Sequence, residues 1–397
     1  MSGPFDDVTE TIFDDKSVLT ENHQPSEILE REEEIENYSH ALQDILFGRD
    51  PENIFIYGKA GLGKTAVTTY MMNELRQEVA ERSQTDELHV HTVNCNGRTL
   101  FMTVRNLVNQ LLPKNSSTFP KRGLGTGDAF GELYTQLDRI GGTHLFVLDE
   151  IDHLNDANTL LYEFPRARAN SHITEAFIGI IGISNDYTFR QTLSPKVKDT
   201  LMETEISFSS YDANELQTIL QHRAEKAFVD DVCDYSAIAK AAALAAQDMG
   251  NARQALDFLR VGSEVAEQEG DQQVTDAHIE TARDVVKRGR LENRIRDQTE
   301  HAQYVLEAIA LLDTKDSLPA RSKKIKSAYE SVADAYGAAS LTTLKSIQDH
   351  LSELQMLGFL IRHERNRGRS GGQFYEYELD LDSDIIFETR EEISQQQ

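Results

Sequence analysis

Gly58-Lys59-Ala60-Gly61-Leu62-Gly63-Lys64-Thr65 separates the apolar run Ile54-Phe55-Ile56-Tyr57 from the helix-forming stretch Ala66-Val67-Thr68-Thr69-Tyr70-Met71-Met72. A buried strand, a glycine turn and a helix start therefore follow one another in the order that a phosphate-binding loop requires. Glycines let the backbone curl so that successive N–H groups point inward, and the helix N-terminus adds its partial positive charge. The candidate cradle is Gly58, Gly61, Leu62, Gly63, Lys64, Thr65 and Ala66. Lys64 has the charge and reach for the β and γ phosphates, and the Thr65 hydroxyl suits Mg²⁺. The expected ligand is ATP or ADP with Mg²⁺.

A second motif lies downstream by one or two βαβ units. Leu145-Phe146-Val147-Leu148 reads as a strand buried on both faces, and it ends in Asp149-Glu150. Ligands of parallel sheets bind beyond the carboxyl ends of the strands. Asp149 is the candidate for the Mg²⁺ shell, with Thr65, and Glu150 for polarising the water that attacks the γ-phosphate. The pair turns a phosphate binder into a candidate ATPase.

The 397 residues leave room for two or three domains, and a hydrophobic fraction of 39% is enough for real cores. There is no run of eighteen apolar residues, and the acidic start Met1-Ser2-Gly3-Pro4-Phe5-Asp6-Asp7 lacks a signal-peptide pattern. These features predict a soluble, cytoplasmic protein with no membrane partner, nucleoid-associated if the local charge distribution points to DNA. Cys95 and Cys233 are the only cysteines, so neither a disulfide framework nor a zinc site is indicated. His89 and His91 alternate on an expected strand and receive no chemistry.

The formal charge of −27 argues against nucleic acid at first sight. An acidic, lysine-poor chain without tryptophan also fits a protein kept soluble in concentrated salt, where repulsion is screened. Local charge has to decide between the two. Residues 1–36 hold twelve acids against Lys16 and Arg31, and read as mostly loop before a helix over 32–47. Residues 283–296 hold six Lys or Arg against two acids, and residues 321–370 hold nine against five. These two basic islands point to a nucleic-acid partner.

Along the chain, strands at 53–57, 88–94, 145–149 and 176–184 alternate with helices at 64–82, 99–112 and 128–139. That pattern predicts an α/β core, a mainly parallel sheet with helices on both faces. Residues 211–290 read as four helices, with Asp212 and Thr275 at cap positions. Beyond 296, helices at 303–312, 325–336 and 341–357 precede two strands that flank Arg365-Asn366-Arg367-Gly368-Arg369-Ser370-Gly371-Gly372. Three helices and a hairpin with a basic, glycine-rich tip read as a winged helix, a duplex-docking module.

With these motifs in order, residues 12–387 resemble the archaeal replication initiators. These AAA+ proteins are similar to the largest subunit of the eukaryotic origin recognition complex and to the cell-division-cycle helicase loader. The residues that carry the resemblance beyond the P-loop are Asp149-Glu150-Ile151-Asp152, Ile183-Ser184-Asn185-Asp186, Phe208-Ser209-Ser210-Tyr211-Asp212, Gly250-Asn251-Ala252-Arg253-Gln254-Ala255-Leu256 and Leu351-Ser352-Glu353-Leu354. The resemblance implies a P-loop AAA+ core over 1–205, an all-α lid over 206–290 and a C-terminal winged helix over 291–397. It also implies a catalytic set of Glu150, Asn185 and Arg253, in which Asn185 senses the γ-phosphate or the attacking water and Arg253 clamps the triphosphate. Tyr211 and Arg223 match positions that contact ATP in the family. Lys345, Arg365, Arg367 and Arg369 of the winged helix are the expected DNA contacts. Lys121 and Arg122, within an extra helical element of the ATPase part, are further ones.

Two departures stand out. Related proteins usually carry an arginine within 193–199 that acts on a neighbouring subunit's ATP, whereas this chain has Lys196, which lacks the bidentate fork. Asn251 stands where an aspartate is common. Slow hydrolysis, with ATP used as a switch, is the expectation. The function implied is an ATP-dependent replication initiator whose partners are double-stranded origin DNA, the replicative helicase and further initiator copies. A winged-helix transcriptional regulator without helicase loading, or a catalytically idle nucleotide-binding scaffold, is the alternative.

Overall fold

A computed structural model describes residues 11–82, 87–366 and 373–395. Five parallel strands, β1 (Ile54–Tyr57), β2 (Leu88–Asn94), β3 (Gly142–Asp149), β4 (Ala176–Ser184) and β5 (Thr204–Ser207), form a sheet in the order β2-β3-β4-β1-β5. Every residue of β1 is buried, as expected for a central strand covered on both faces. Phe55, Phe146 and Phe164 are fully buried in one core cluster, each worth about 1.5–3 kcal/mol of burial.

Strand register lines up the carboxyl ends. Tyr57 pairs with Ser184 and Ser207, Leu148 with Gly182, and Asn94 with Asp149. The loop after β1, the acids after β3, Asn185 after β4 and Asn94 therefore emerge at one edge of the sheet.

The helices Ala213–Ala227, Tyr235–Asp248, Ala252–Glu269 and Asp276–Arg296 follow the sheet. Asp212 caps the first through a reciprocal box with Glu215: its Oδ1 accepts from Glu215 N at 2.9 Å, and Glu215 Oε2 accepts from Asp212 N at 2.6 Å. The acidic N-terminal segment is less loop-like than its composition suggests. Ile12, Phe13, Val18 and Leu19 are buried, the Phe13 ring stacks on Phe228 at 5.2 Å, and Asp14 N donates to Ala227 O at 2.9 Å. The helix expected over 32–47 is an α-helix only over Glu32–Leu42 and tightens to 3₁₀ over Gln43–Phe47. Residues 1–10 lie outside the described residues.

The chain divides into two compact units, Met1–Glu280 and Thr281–Gln397. In the second, helices Glu300–Asp313, Ser322–Ala335 and Leu344–Met356 precede the hairpin β7 (Leu360–Asn366) and β8 (Gln373–Leu379). A short strand β6 (Ala320–Arg321) adds to the hairpin in the order β6-β8-β7, and a C-terminal helix, Ser383–Gln395, was not foreseen from sequence. The third helix starts at Leu344 rather than at 341, because Thr343 Oγ1 accepts from Ser346 N at 3.1 Å and caps it there. Its apolar face, Ile347, Leu351 and Leu354, is fully buried against Ile309, Ile325 and Phe359. Among the described residues no helix is long and apolar enough to cross a membrane.

Candidate functional site

The P-loop is held from below and from the side. Leu62 is fully buried and anchors the turn. A Cβ on Gly58 would lie 2.8 Å from Phe208 Cβ, so the close approach of the loop to the segment after β5 requires glycine there. Gly63 has φ +87°, and a Cβ on it would lie 3.1 Å from the Tyr211 hydroxyl. Gly61 O accepts from Ala252 N at 3.1 Å, which docks the loop on the start of helix Ala252–Glu269. Asn251 is buried beside Gly61 and caps that helix, its Oδ1 accepting from Gln254 N at 2.8 Å. An amide performs this capping as an aspartate would, which accounts for the substitution noted in the sequence.

Lys64 is buried, and its Nζ donates to Gly58 O at 2.6 Å, to Lys59 O at 2.7 Å and to Asn185 Oδ1 at 2.8 Å. Thr65 Oγ1 donates to Asp149 Oδ2 at 3.0 Å, and Glu150 N donates to Asp149 Oδ1 at 3.0 Å. Four expected site residues, Lys64, Thr65, Asp149 and Asn185, are thus joined by direct hydrogen bonds. Glu150 adopts φ +51°, a left-handed conformation that costs about 1–2 kcal/mol outside glycine. That turn brings its Oε2 within 3.3 Å of Asn94 Nδ2 at the end of β2. Asn94 was missed from sequence, because only the β2–β3 register places it beside the acid.

Burial lowers the Lys64 ammonium to about 8, against the opposing pull of Asp149. The same burial raises the Asp149 carboxyl, against the hydrogen bond from Thr65. Both charged forms are held at an electrostatic cost, the condition in which a cation beside Asp149 and an anion beside Lys64 are welcome. A hydroxyl and a carboxylate are hard oxygen donors of the kind Mg²⁺ takes, and the curled backbone fits phosphate. The residues present fit Mg²⁺ and a nucleoside polyphosphate.

The cleft has a volume of about 380 Å³, and its lining includes Gly61, Gly63, Lys64, Thr65, Ala66, Asp149, Glu150, Asn185, Tyr211, Arg223 and Arg253. Its far wall is a segment that sequence reading left as loop, with Thr20, Glu21, His23, Gln24, Glu27 and Leu29. Arg253 is half-exposed and pairs with Glu21 across the cleft at 2.9 Å. Arg223 Nη1 donates to Val18 O at 3.2 Å, so it carries the base of this segment. Lys196 stands apart from the cleft lining, its ammonium 3.6 Å from the centre of the Tyr162 ring.

The basic islands are less basic than they read. Arg288 pairs with Glu292 at 3.1 Å and also with Glu388, and Arg296 pairs with Glu392. Arg294 is spent on the Leu357 carbonyl and lies 4.6 Å from the centre of the Phe359 ring. Two arginines of the basic island at 283–296, Arg288 and Arg296, thus pair with acids of the C-terminal helix. On the winged helix, Lys345 pairs with Asp349 at 2.8 Å and Arg365 with Glu376 at 3.3 Å. Arg367 and Arg369 lie outside the described residues. Lys121 and Arg122 are exposed between the helices Leu100–Leu111 and Thr126–Ile140. That connection is fastened by Arg105 Nε to Phe119 O and by Phe119 N to Asn109 Oδ1, both at 2.8 Å.

Three histidines form a cluster away from the cleft. His144 Nε2 lies 3.0 Å from Gly141 O, which can only accept, so Nδ1 of the neutral ring is the acceptor for His91 Nε2–H at 3.0 Å. His89 stacks on His144 at 4.7 Å. Burial depresses His91 to about 4 and His144 to about 3.

Comparison with known proteins agrees with this geometry. Residues 48–184 match an AAA domain, residues 217–284 the Cdc6 AAA+ ATPase-type lid domain, and residues 293–389 the CDC6 C-terminal winged helix domain. ORC1-type DNA replication protein 8 of Halobacterium salinarum is 46% identical, covering 98% of each chain. ORC1-type DNA replication protein 15 of Haloarcula marismortui is 43% identical over 94% of this chain and 90% of its own. The structure of the Aeropyrum pernix ORC1 protein in complex with DNA superposes with a TM-score of 0.84 at 31% identity, covering 97% of this chain and 98% of that one. The chain belongs to the ORC1-type DNA replication protein family, an AAA+ core with a Cdc6-type lid and winged helix.

Proposed function

We propose that the protein is an ATP-dependent replication initiator that binds duplex origin DNA and uses its nucleotide state to control helicase recruitment. The observation that carries this reading is the pair of hydrogen bonds Lys64–Asn185 and Thr65–Asp149, with Glu150 adjacent, at the carboxyl edge of the sheet in a chain of this family. The working parts are an AAA+ domain at 1–205, a lid at 206–290 and a DNA-binding winged helix at 291–397.

Lys64 holds the β and γ phosphates by exchanging its bonds to the loop carbonyls for phosphate oxygens. Thr65 and Asp149 would hold Mg²⁺, which would supply neutralisation of the charge that develops on phosphoryl transfer. Glu150 accepts the proton of the attacking water. Asn185, with its Oδ1 engaged by Lys64, has its Nδ2 donors left for the γ-phosphate or that water. Arg253 leaves Glu21 to clamp the phosphates and so couples the lid to the nucleotide. Lys196 offers a point charge where relatives use a fork, so hydrolysis is slow and works as a timer.

On DNA, the helix Leu344–Met356 enters the major groove and the hairpin contacts the neighbouring backbone or minor groove. The helix Leu344–Met356 carries no arginine for reading bases, so duplex shape and deformability supply much of the specificity. Helicase recruitment is tested by capturing the replicative helicase on DNA-bound protein loaded with ATP or with ADP. Capture in one state alone supports the initiator. Capture in neither leaves the transcriptional regulator as the better reading.

A further inference from the structure

We infer that Arg31 is a positioning residue that fixes the segment 20–30 across the nucleotide cleft and thereby sets how long nucleotide stays bound. The inference rests on the nucleotide reading of the cleft.

Arg31 is 3% exposed, and all three guanidinium nitrogens are used. Nε donates to the Tyr211 hydroxyl at 2.9 Å, Nη1 to Glu34 Oε1 at 2.9 Å, and Nη2 to Leu62 O at 3.2 Å and to Ser209 O at 2.8 Å. The guanidinium also lies 3.7 Å from the centre of the Tyr211 ring. One side chain therefore ties three separate stretches: the helix that starts at Glu32, the P-loop, and the segment that leads from β5 to the lid. Such a fork needs planar, multiply donating nitrogens, which lysine lacks.

The segment before Arg31 is anchored at its other end on the lid, by the Phe13–Phe228 stack and by Arg223 on the Val18 carbonyl. Between these anchors, residues 20–29 wall the cleft opposite Lys64 and Thr65. Within that stretch the contacts are exposed ones: Gln24 Nε2 donates to Ala66 O of the P-loop helix at 3.3 Å, and Glu21 pairs with Arg253 at 2.9 Å. The buried fastenings of the strap are thus at its ends, and Arg31 is the end that touches the P-loop. Arg31 is not itself one of the residues lining the cleft, so its loss loosens the wall without removing a phosphate contact.

The test uses full-length protein in concentrated KCl, fluorescent ATP and ADP analogues, and hydrogen exchange over residues 20–30 and 208–211. Arg31→Lys is expected to speed nucleotide dissociation at least tenfold, raise KM in proportion and increase exchange in both segments, with kcat changed less than threefold. Glu34→Ala removes only the carboxylate that Nη1 binds, at a residue outside the cleft lining. It is expected to speed dissociation about threefold by the loss of one of the four bonds, and it serves if Arg31→Lys does not fold. Wild-type dissociation rates and wild-type exchange in the folded variants overturn the inference. Lys64→Ala is the control: if it binds nucleotide as wild type does, the reading of the cleft fails, and the role of Arg31 falls with it.

Discussion

The two units handle charge in opposite ways. Thr281–Gln397 holds 17 Lys and Arg against 20 Asp and Glu, a net charge of −3, which leaves −24 for Met1–Glu280. The more acidic unit is the one with the built anion site. It achieves this by burying a few cations, Lys64 and Arg31, in fixed hydrogen-bond frames that bulk charge does not reach. In the nearly neutral unit Arg288, Arg296, Lys345 and Arg365 pair with acids at or near the surface, and Arg390 is its buried cation, paired with Glu307 at 3.2 Å. In concentrated salt, where the Debye length is about 3 Å at 1 M, only short-range frames keep their strength. Nucleotide binding should therefore tolerate salt better than DNA binding does.

The largest effect that would break this contrast belongs to Glu150. Glu150→Gln should retain nucleotide and lower the hydrolysis rate about 10²–10⁴-fold, measured as phosphate release at saturating ATP. Unchanged turnover would remove the buried frame's claim to catalysis.

The next is a stability effect confined to the first unit. His91 and His144 have folded values near 4 and 3, below the unfolded value of 6.5. The unfolded chain then binds more protons as pH falls below 6.5, so their contribution to stability is complete above that pH and is lost on acidification. Denaturant unfolding should show a loss on the order of 2 kcal/mol per histidine between pH 7 and pH 5, with one of the two contributions removed in His144→Phe. A flat profile would mean that the pair is not buried and neutral.

Lys64 gives a smaller and opposite pH signal. Because its ammonium is lowered to about 8, nucleotide affinity should fall as pH rises through 8, by up to about tenfold per pH unit, when followed by calorimetry. Nucleotide binding there should take up a proton.

The smallest effect sharpens the contrast from the other side. Glu376 faces both Arg321, at 3.5 Å, and Arg365. Glu376→Gln should free both arginines, strengthen duplex binding about two- to fivefold and steepen its salt dependence by about one counterion. Weaker binding would show that these pairs order the hairpin instead of masking it.

How much of this was legible follows from how local each feature is. The P-loop, Asp149-Glu150 and the strand–helix alternation are contiguous in sequence, and each residue type is dictated by its neighbours. Asn94 acquires meaning only from the register of β2 on β3, and His144 only from its place beside His91. Arg31 lies 180 residues from the tyrosine it binds. The pairing of Arg288 and Arg296 was not legible because their acids, Glu388 and Glu392, sit about a hundred residues away on a helix that composition did not announce. Composition weighs charges by number, whereas function here depends on which of them are buried and which are already paired.

Footprinting the protein on its own genome in concentrated KCl, with ATP or ADP, tests the initiator assignment most directly. Protection of a few origin-like repeats is the expected result. Protection confined to promoters, or spread without sites in both nucleotide states, would contradict it.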